Sequence, residues 1–147
     1  MRTATQRRPR RPRRPRRDRT ERLTNKRMND AVYAERRKVM HHVYEARGLL
    51  RSVGIDMPRV QIRICERDPH ILGVARLGGD LAIWISESVI NMGERHLRHT
   101  VFHELAHTLF QAPHKRGCPL MRPIHPRKPD LEQGERVFLE LAKAYHS

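Results

Sequence analysis

Glu94-Arg95-His96-Leu97-Arg98-His99-Thr100-Val101-Phe102-His103-Glu104-Leu105-Ala106-His107-Thr108-Leu109-Phe110-Gln111 holds two patterns at once. Leu97, Val101, Phe102, Leu105, Leu109 and Phe110 recur at helical spacing, which predicts an amphipathic helix over 94–111, stopped by Pro113. The polar side of the same stretch carries His103-Glu104-Leu105-Ala106-His107, an H-E-x-x-H sequence. Residues four apart share one helix face, so both imidazoles can reach one metal ion. Glu104 then lies close enough to take a proton from a water that the metal activates. A random chain with ten His and ten Glu among 147 residues is expected to hold this pattern only about 0.05 times.

Two histidines leave a zinc site incomplete. His114 follows His107 by seven residues, and a turn at Gln111-Ala112-Pro113 can bring it back to the metal. His125, or an acid of the last helix such as Glu135, are the other candidates for the third ligand. His99 shares the face of His103, and it and the pair His41-His42 read as solvated helix histidines.

Downstream come Cys118-Pro119-Leu120-Met121. The run from His103 to Met121 resembles the metzincin clan of zinc peptidases, in which a long histidine motif is followed by a Met-turn. The spacing is closest to compact archaemetzincin-like members. This chain has six residues between the second and third histidine rather than five, and Phe110 where those proteins end the helix with Gly. The resemblance implies a zinc-like site of His103, His107 and His114 holding Zn²⁺, with Glu104 as general base and Met121 as an apolar floor beneath the metal. It further implies that Leu81, Ile83 and Ile85 form an edge strand that pairs with an extended protein or peptide substrate. The donor for the developing oxyanion is open among Tyr145, His125 and Arg122.

Working outward from the motif, the N-terminal side reads as one helix over Thr20–Val53, with starts available at Thr20-Glu21 and Asn29-Asp30. Gly54 and Asp56-Met57-Pro58 end it. Arg59–Glu66 alternates polar and apolar as a strand does. Ile71–Arg76 and Leu81–Ser86 flank Leu77-Gly78-Gly79-Asp80 as a hairpin. A short turn or helix is expected over Ser86–Asn91. On the C-terminal side, Gly117–Pro129 holds four prolines and reads as irregular. Asp130 caps a final helix to Tyr145, whose apolar face is Leu131, Val137, Phe138, Leu141 and Ala142. The expected fold class is α+β: a small zincin-like domain over 21–147 with a short mixed sheet, a backing helix, an active-site helix and a C-terminal helix.

Residues 1–20 are of another kind. Ten arginines stand against one acid, in the repeat Arg7-Arg8-Pro9, Arg10-Arg11-Pro12, Arg13-Arg14-Pro15, Arg16-Arg17. Proline at every third position blocks an α-helix, and like charges extend the chain, so a disordered basic tail is expected. Its expected partner is nucleic acid or another polyanion, bound through counterion release. The tail supplies more than half of the net charge of +15.

No run approaches the roughly 18 apolar residues of a membrane span. The start lacks the apolar core of a secretory signal. Cys65 and Cys118 are too few for a disulfide scaffold and read as free thiols. A cytoplasmic monomer is therefore the expectation. The functional expectation is a zinc metallopeptidase. A protease of DNA-associated proteins, SprT-like or repressor-clearing, is the neighbouring alternative. A third reading is a non-enzymatic polyanion binder whose zinc is structural, with Cys118 as fourth ligand.

Overall fold

The computed structural model describes residues 19–65, 72–76 and 79–147, with side chains from Tyr33 onward. Seven elements follow in order: α1 Arg19–Ser52, β1 Gln61–Cys65, β2 Gly73–Ala75, β3 Ala82–Ser86, α2 Glu87–Met92, α3 Glu94–Phe110 and α4 Leu131–His146. The protein is a small mixed α/β domain of four helices and one three-stranded mixed sheet. Helix α1 begins inside the segment expected to be tail; the rest of that Arg/Pro-rich tail lies outside the described residues.

The sheet order is β1-β3-β2. β1 runs parallel to β3, with Ile62 opposite Ile83 and Ile64 opposite Ile85. β2 runs antiparallel to β3, with Val74 opposite Trp84, as the expected hairpin requires. This order corrects one expectation. The strand carrying Leu81, Ile83 and Ile85 is not an edge; it is the middle strand, paired on both sides. Ile83 and Ile85 are fully buried and Leu81 is half-buried at its entrance. A fully paired strand has no backbone groups left for a peptide, so the edge role cannot be theirs. The run of Leu81-Ala82-Ile83-Trp84-Ile85 is apolar without alternation, which is the pattern of a central strand.

Helix α3 is the hub: it packs against β2 and β3 on one side and against α1 and α4 on the other. Its apolar residues Leu97, Val101, Phe102, Leu105, Leu109 and Phe110 are all buried, which accounts for its position. Val39, Val43, Ala46 and Leu50 from α1, and Phe138 and Ala142 from α4, complete the core. The Phe138 ring meets Phe102 at 4.9 Å and Phe110 at 5.3 Å between centroids. Arg98 ties the three helices together, pairing with Glu45 of α1 at 2.8 Å and Glu135 of α4 at 3.0 Å. Helix α4 starts as expected, with the Asp130 carboxylate accepting the Gln133 N–H at 3.1 Å. Helix α2 is capped in the same way by Ser86.

Candidate metal centre

The H-E-x-x-H residues lie in the last three turns of α3, where Leu105 and Ala106 enter the core, Glu104 is buried, and His103 and His107 are half-buried. Each histidine of the pair is held by its inner nitrogen. His103 Nδ1–H donates to the Leu120 carbonyl at 2.7 Å, and His107 Nδ1–H donates to the Ala112 carbonyl at 2.6 Å. A carbonyl only accepts, so both protons sit on Nδ1 and the neutral rings leave Nε2 bare. These two Nε2 atoms face each other at 3.1 Å, and His114 Nε2 stands 3.2 Å from that of His103. Two bare lone pairs at that distance repel unless a cation lies between them. Zinc–nitrogen bonds of about 2.0–2.1 Å in a tetrahedron place ligand nitrogens about 3.4 Å apart, close to what is seen. Three imidazoles whose outer nitrogens converge, each inner nitrogen of the first two anchored by a carbonyl, form a site that can hold a metal ion.

The return of His114 depends on a local backbone feature. Helix α3 ends at Phe110, and Gln111 takes a left-handed conformation with φ of 52° and ψ of 31°. The Ala112 N–H closes back on the Ala106 carbonyl. The turn a glycine normally makes is thus made by Gln111, one residue past the position expected from the resemblance. The loop then folds on itself, with Lys115 N–H donating to the Met121 carbonyl at 2.8 Å. That fold sets the Leu120 carbonyl against His103. Met121 is buried in the core beside it.

Glu104 is 6% exposed, and its Oε1 lies 3.9 Å from His103 Nε2. Burial raises its pKa to about 7. Burial lowers His103 to about 4, with the neighbouring imidazoles adding to the effect and its hydrogen bond to Leu120 opposing it. Burial also lowers His107. Low values keep these rings neutral, the form that ligates metals. Gly73 of β2 lies directly against Glu104: a Cβ at that position would stand 2.8 Å from Glu104 Cγ and 3.0 Å from Thr100 Cγ2. The absence of a side chain at Gly73 is what lets β2 lie beside the site.

The other candidates fall elsewhere. His125 is hydrogen-bonded to His96 Nδ1 at 2.8 Å and does not join the three histidines. Glu135 is held by Arg98. Tyr145 packs against Phe110 and His146 on a different groove, lined also by Leu50 and Ile55. Arg122 and His125 line the same cavity as Glu104. Cys118 accepts the Met121 N–H and is outside the histidine cluster, and Cys65 is also a free thiol.

Two histidines read as solvated are buried. His99 is 5% exposed and lines the cavity beside His103, its pKa lowered to about 3 by burial first and by its imidazole neighbours after that. His42 is buried and bonded to Glu45 Oε1 at 2.7 Å, while His41 is exposed as expected. His41, His42 and Glu45 form a second cluster with the spacing of metal ligands. Its carboxylate is already occupied by both imidazoles and by Arg98.

The two edges of the sheet are β1 and β2, and β2 is the one beside Glu104. Ser86 N–H bonds the Leu72 carbonyl and Arg76 N–H bonds the Ala82 carbonyl. Antiparallel alternation then turns the backbone groups of Gly73 and Ala75 away from β3. No partner takes them up among the described residues. Among those residues too, no helix is long and apolar enough to cross a membrane. In comparison with known proteins, no family model, no curated protein and no solved structure matches the chain.

Proposed function

We propose that this chain is a zinc-dependent metallopeptidase of metzincin-like, compact zincin architecture. The observation that carries the reading is the convergence of His103, His107 and His114 through their Nε2 atoms, with buried Glu104 at their side. Zinc bound there supplies a Lewis acid that activates a water and polarises a peptide carbonyl. Three protein ligands leave room for substrate, as a catalytic rather than a structural zinc requires. Cys118, the fourth ligand that a structural site would use, lies outside the cluster of three histidines.

The remaining roles belong to the chain itself. Glu104, in its carboxylate form, takes the proton from the attacking water and returns it to the leaving amine. Its raised pKa suits both transfers near neutral pH, and a cation beside it favours the ionised form that begins them. Gly73 and Ala75 of β2 offer their outward N–H and C=O groups to an extended peptide, which adds as a fourth strand beside Glu104. The ring held by the Leu120 carbonyl and the ring held by the Ala112 carbonyl stay fixed while substrate exchanges. Arg122 and His125 line the same cavity as Glu104.

The test is metal content and hydrolysis on one set of variants. About one zinc per chain is expected in the wild type by elemental analysis, and little in His103→Ala or His114→Ala. Glu104→Gln is expected to keep its zinc and to lose at least about 10²-fold in the rate of peptide hydrolysis. Full hydrolysis by zinc-loaded Glu104→Gln would sink the mechanism. Zinc retained in His114→Ala would remove His114 from the ligand set.

The Arg/Pro repeat of residues 7–17 favours a substrate on DNA, in the manner of SprT-like or repressor-clearing proteases. Deleting residues 1–18 is then expected to slow cleavage only when the substrate is DNA-bound. Equal rates with and without the tail, on DNA and off it, would leave the peptidase reading standing without the nucleic acid.

A further inference from the structure

We propose that the cavity beside the three histidines is a carboxylate subsite with Arg122 as its charged contact, so that the substrate carries an acidic side chain or a free C-terminal carboxylate next to the bond cleaved. The proposal rests on the metallopeptidase reading and names the chemistry of its substrate.

The cavity measures about 200 Å³ and opens directly beside Glu104. It is lined by His99 and Thr100 of α3 and by Arg122, Pro123 and His125 of the loop after Met121. Among the described residues of this lining, Arg122 is the only permanently charged cation and Glu104 the only acid. Two other arginines packed against the fold are held by partners. Arg98 is held between Glu45 and Glu135, and Arg36 donates to the Ile62 carbonyl. Arg122 has no ion-pair partner among the described residues.

The histidines point the same way. His99 is buried and lines the cavity, yet its ring makes no hydrogen bond to any described residue. No buried side-chain nitrogen or oxygen among the described residues lacks a partner, so the His99 ring nitrogens open to the cavity, where a bound group can reach them. His125 is steadied by His96 and packs edge-on against His99 at 5.1 Å. A carboxylate placed between Arg122 and these rings meets one guanidinium and imidazole N–H donors, with two oxygens to accept from them. A lysine or arginine side chain there would face Arg122 and the bound metal. Among the described residues, a large apolar side chain would find Leu72 and Pro123 as apolar side-chain lining.

The experiment uses zinc-loaded full-length protein and three malonyl hydroxamates, each of which anchors on zinc through its hydroxamate. One extends into aspartate amide, one into leucine with a free C-terminal carboxylate, and one into leucine amide, which has no charge. Affinities are read by calorimetry. The expected result is that at least one carboxylate probe binds about tenfold tighter than leucine amide, and that Arg122→Met brings that ratio to near one. The probe that gains identifies whether the carboxylate is a side chain or a chain end. Equal affinity for all three probes in the wild type, or a preference that survives Arg122→Met, overturns the subsite and leaves the zinc reading intact. If no probe binds, the metal centre itself fails, and the subsite falls with it. A wild-type chain that favours leucine amide also overturns the proposal.

Discussion

Gly73 shows how one missing side chain sets the place of a buried carboxyl, that of Glu104. Its backbone conformation is open to any residue, so the constraint is steric: a methyl group there would press on Glu104 and Thr100. Gly73→Ala is expected to cost about 1–3 kcal/mol of stability through overpacking. It is also expected to reduce hydrolysis while zinc content stays near one, because it shifts Glu104 and not the histidines. Urea unfolding and elemental analysis on the same sample check both parts. At the same scale, the H-E-x-x-H sequence was legible without a structure, since helical periodicity alone puts His103 and His107 on one face. Gly73 was not, because its neighbours Thr100 and Glu104 come from α3, distant in sequence.

Among the elements, α3 ends where Gln111 enters the left-handed region, and the convergence of the three histidines depends on that turn. The Ala112 carbonyl that orients His107, and His114 itself, both follow from it. Gln111→Gly is expected to retain zinc and to keep or raise stability by up to about 1 kcal/mol, since glycine meets no penalty there. Gln111→Val, β-branched at a positive φ, is expected to lower both stability and zinc affinity. Circular dichroism melts and a competitive zinc titration separate the two. Helix α4 is a control remote from the metal: Asp130→Ala removes the cap on Gln133 and is expected to cost about 1 kcal/mol without altering zinc content.

For the whole molecule, buried histidines make stability depend on pH. In the metal-free chain His99 is lowered to about 3, and His103 and His125 to about 4. Unfolded, each returns to about 6.5 and binds a proton that the fold refuses. Their contribution is therefore complete above pH 6.5 and is lost as pH falls toward 4. Glu104 runs the other way: raised to about 7, it contributes stability below its unfolded value near 4.5 and loses it as pH rises through 7. Three histidines outweigh one glutamate between pH 6.5 and 5, so the urea midpoint of the metal-free chain is expected to drop over that range. His99→Leu is expected to flatten the drop. Zinc at about 1,000 times its dissociation constant is expected to add about 4 kcal/mol at neutral pH, and a chelator to remove it.

What the sequence by itself determined is the set of elements, the Asp130 cap, the hairpin and the histidine motif. Each rests on local periodicity or on a turn residue, and local rules read such features well. The tertiary structure alone decided that β3 lies in the middle of the sheet and β2 at its edge, because strand order follows from which long-range pairings close. It alone brought His114, rather than His125 or Glu135, to the pair on α3. It alone buried His99 and His42, residues that look solvated in a helix until another element covers them. Arg122 and His99 meet across one cavity only because the loop after Met121 folds back over α3, a contact that no spacing along the chain encodes.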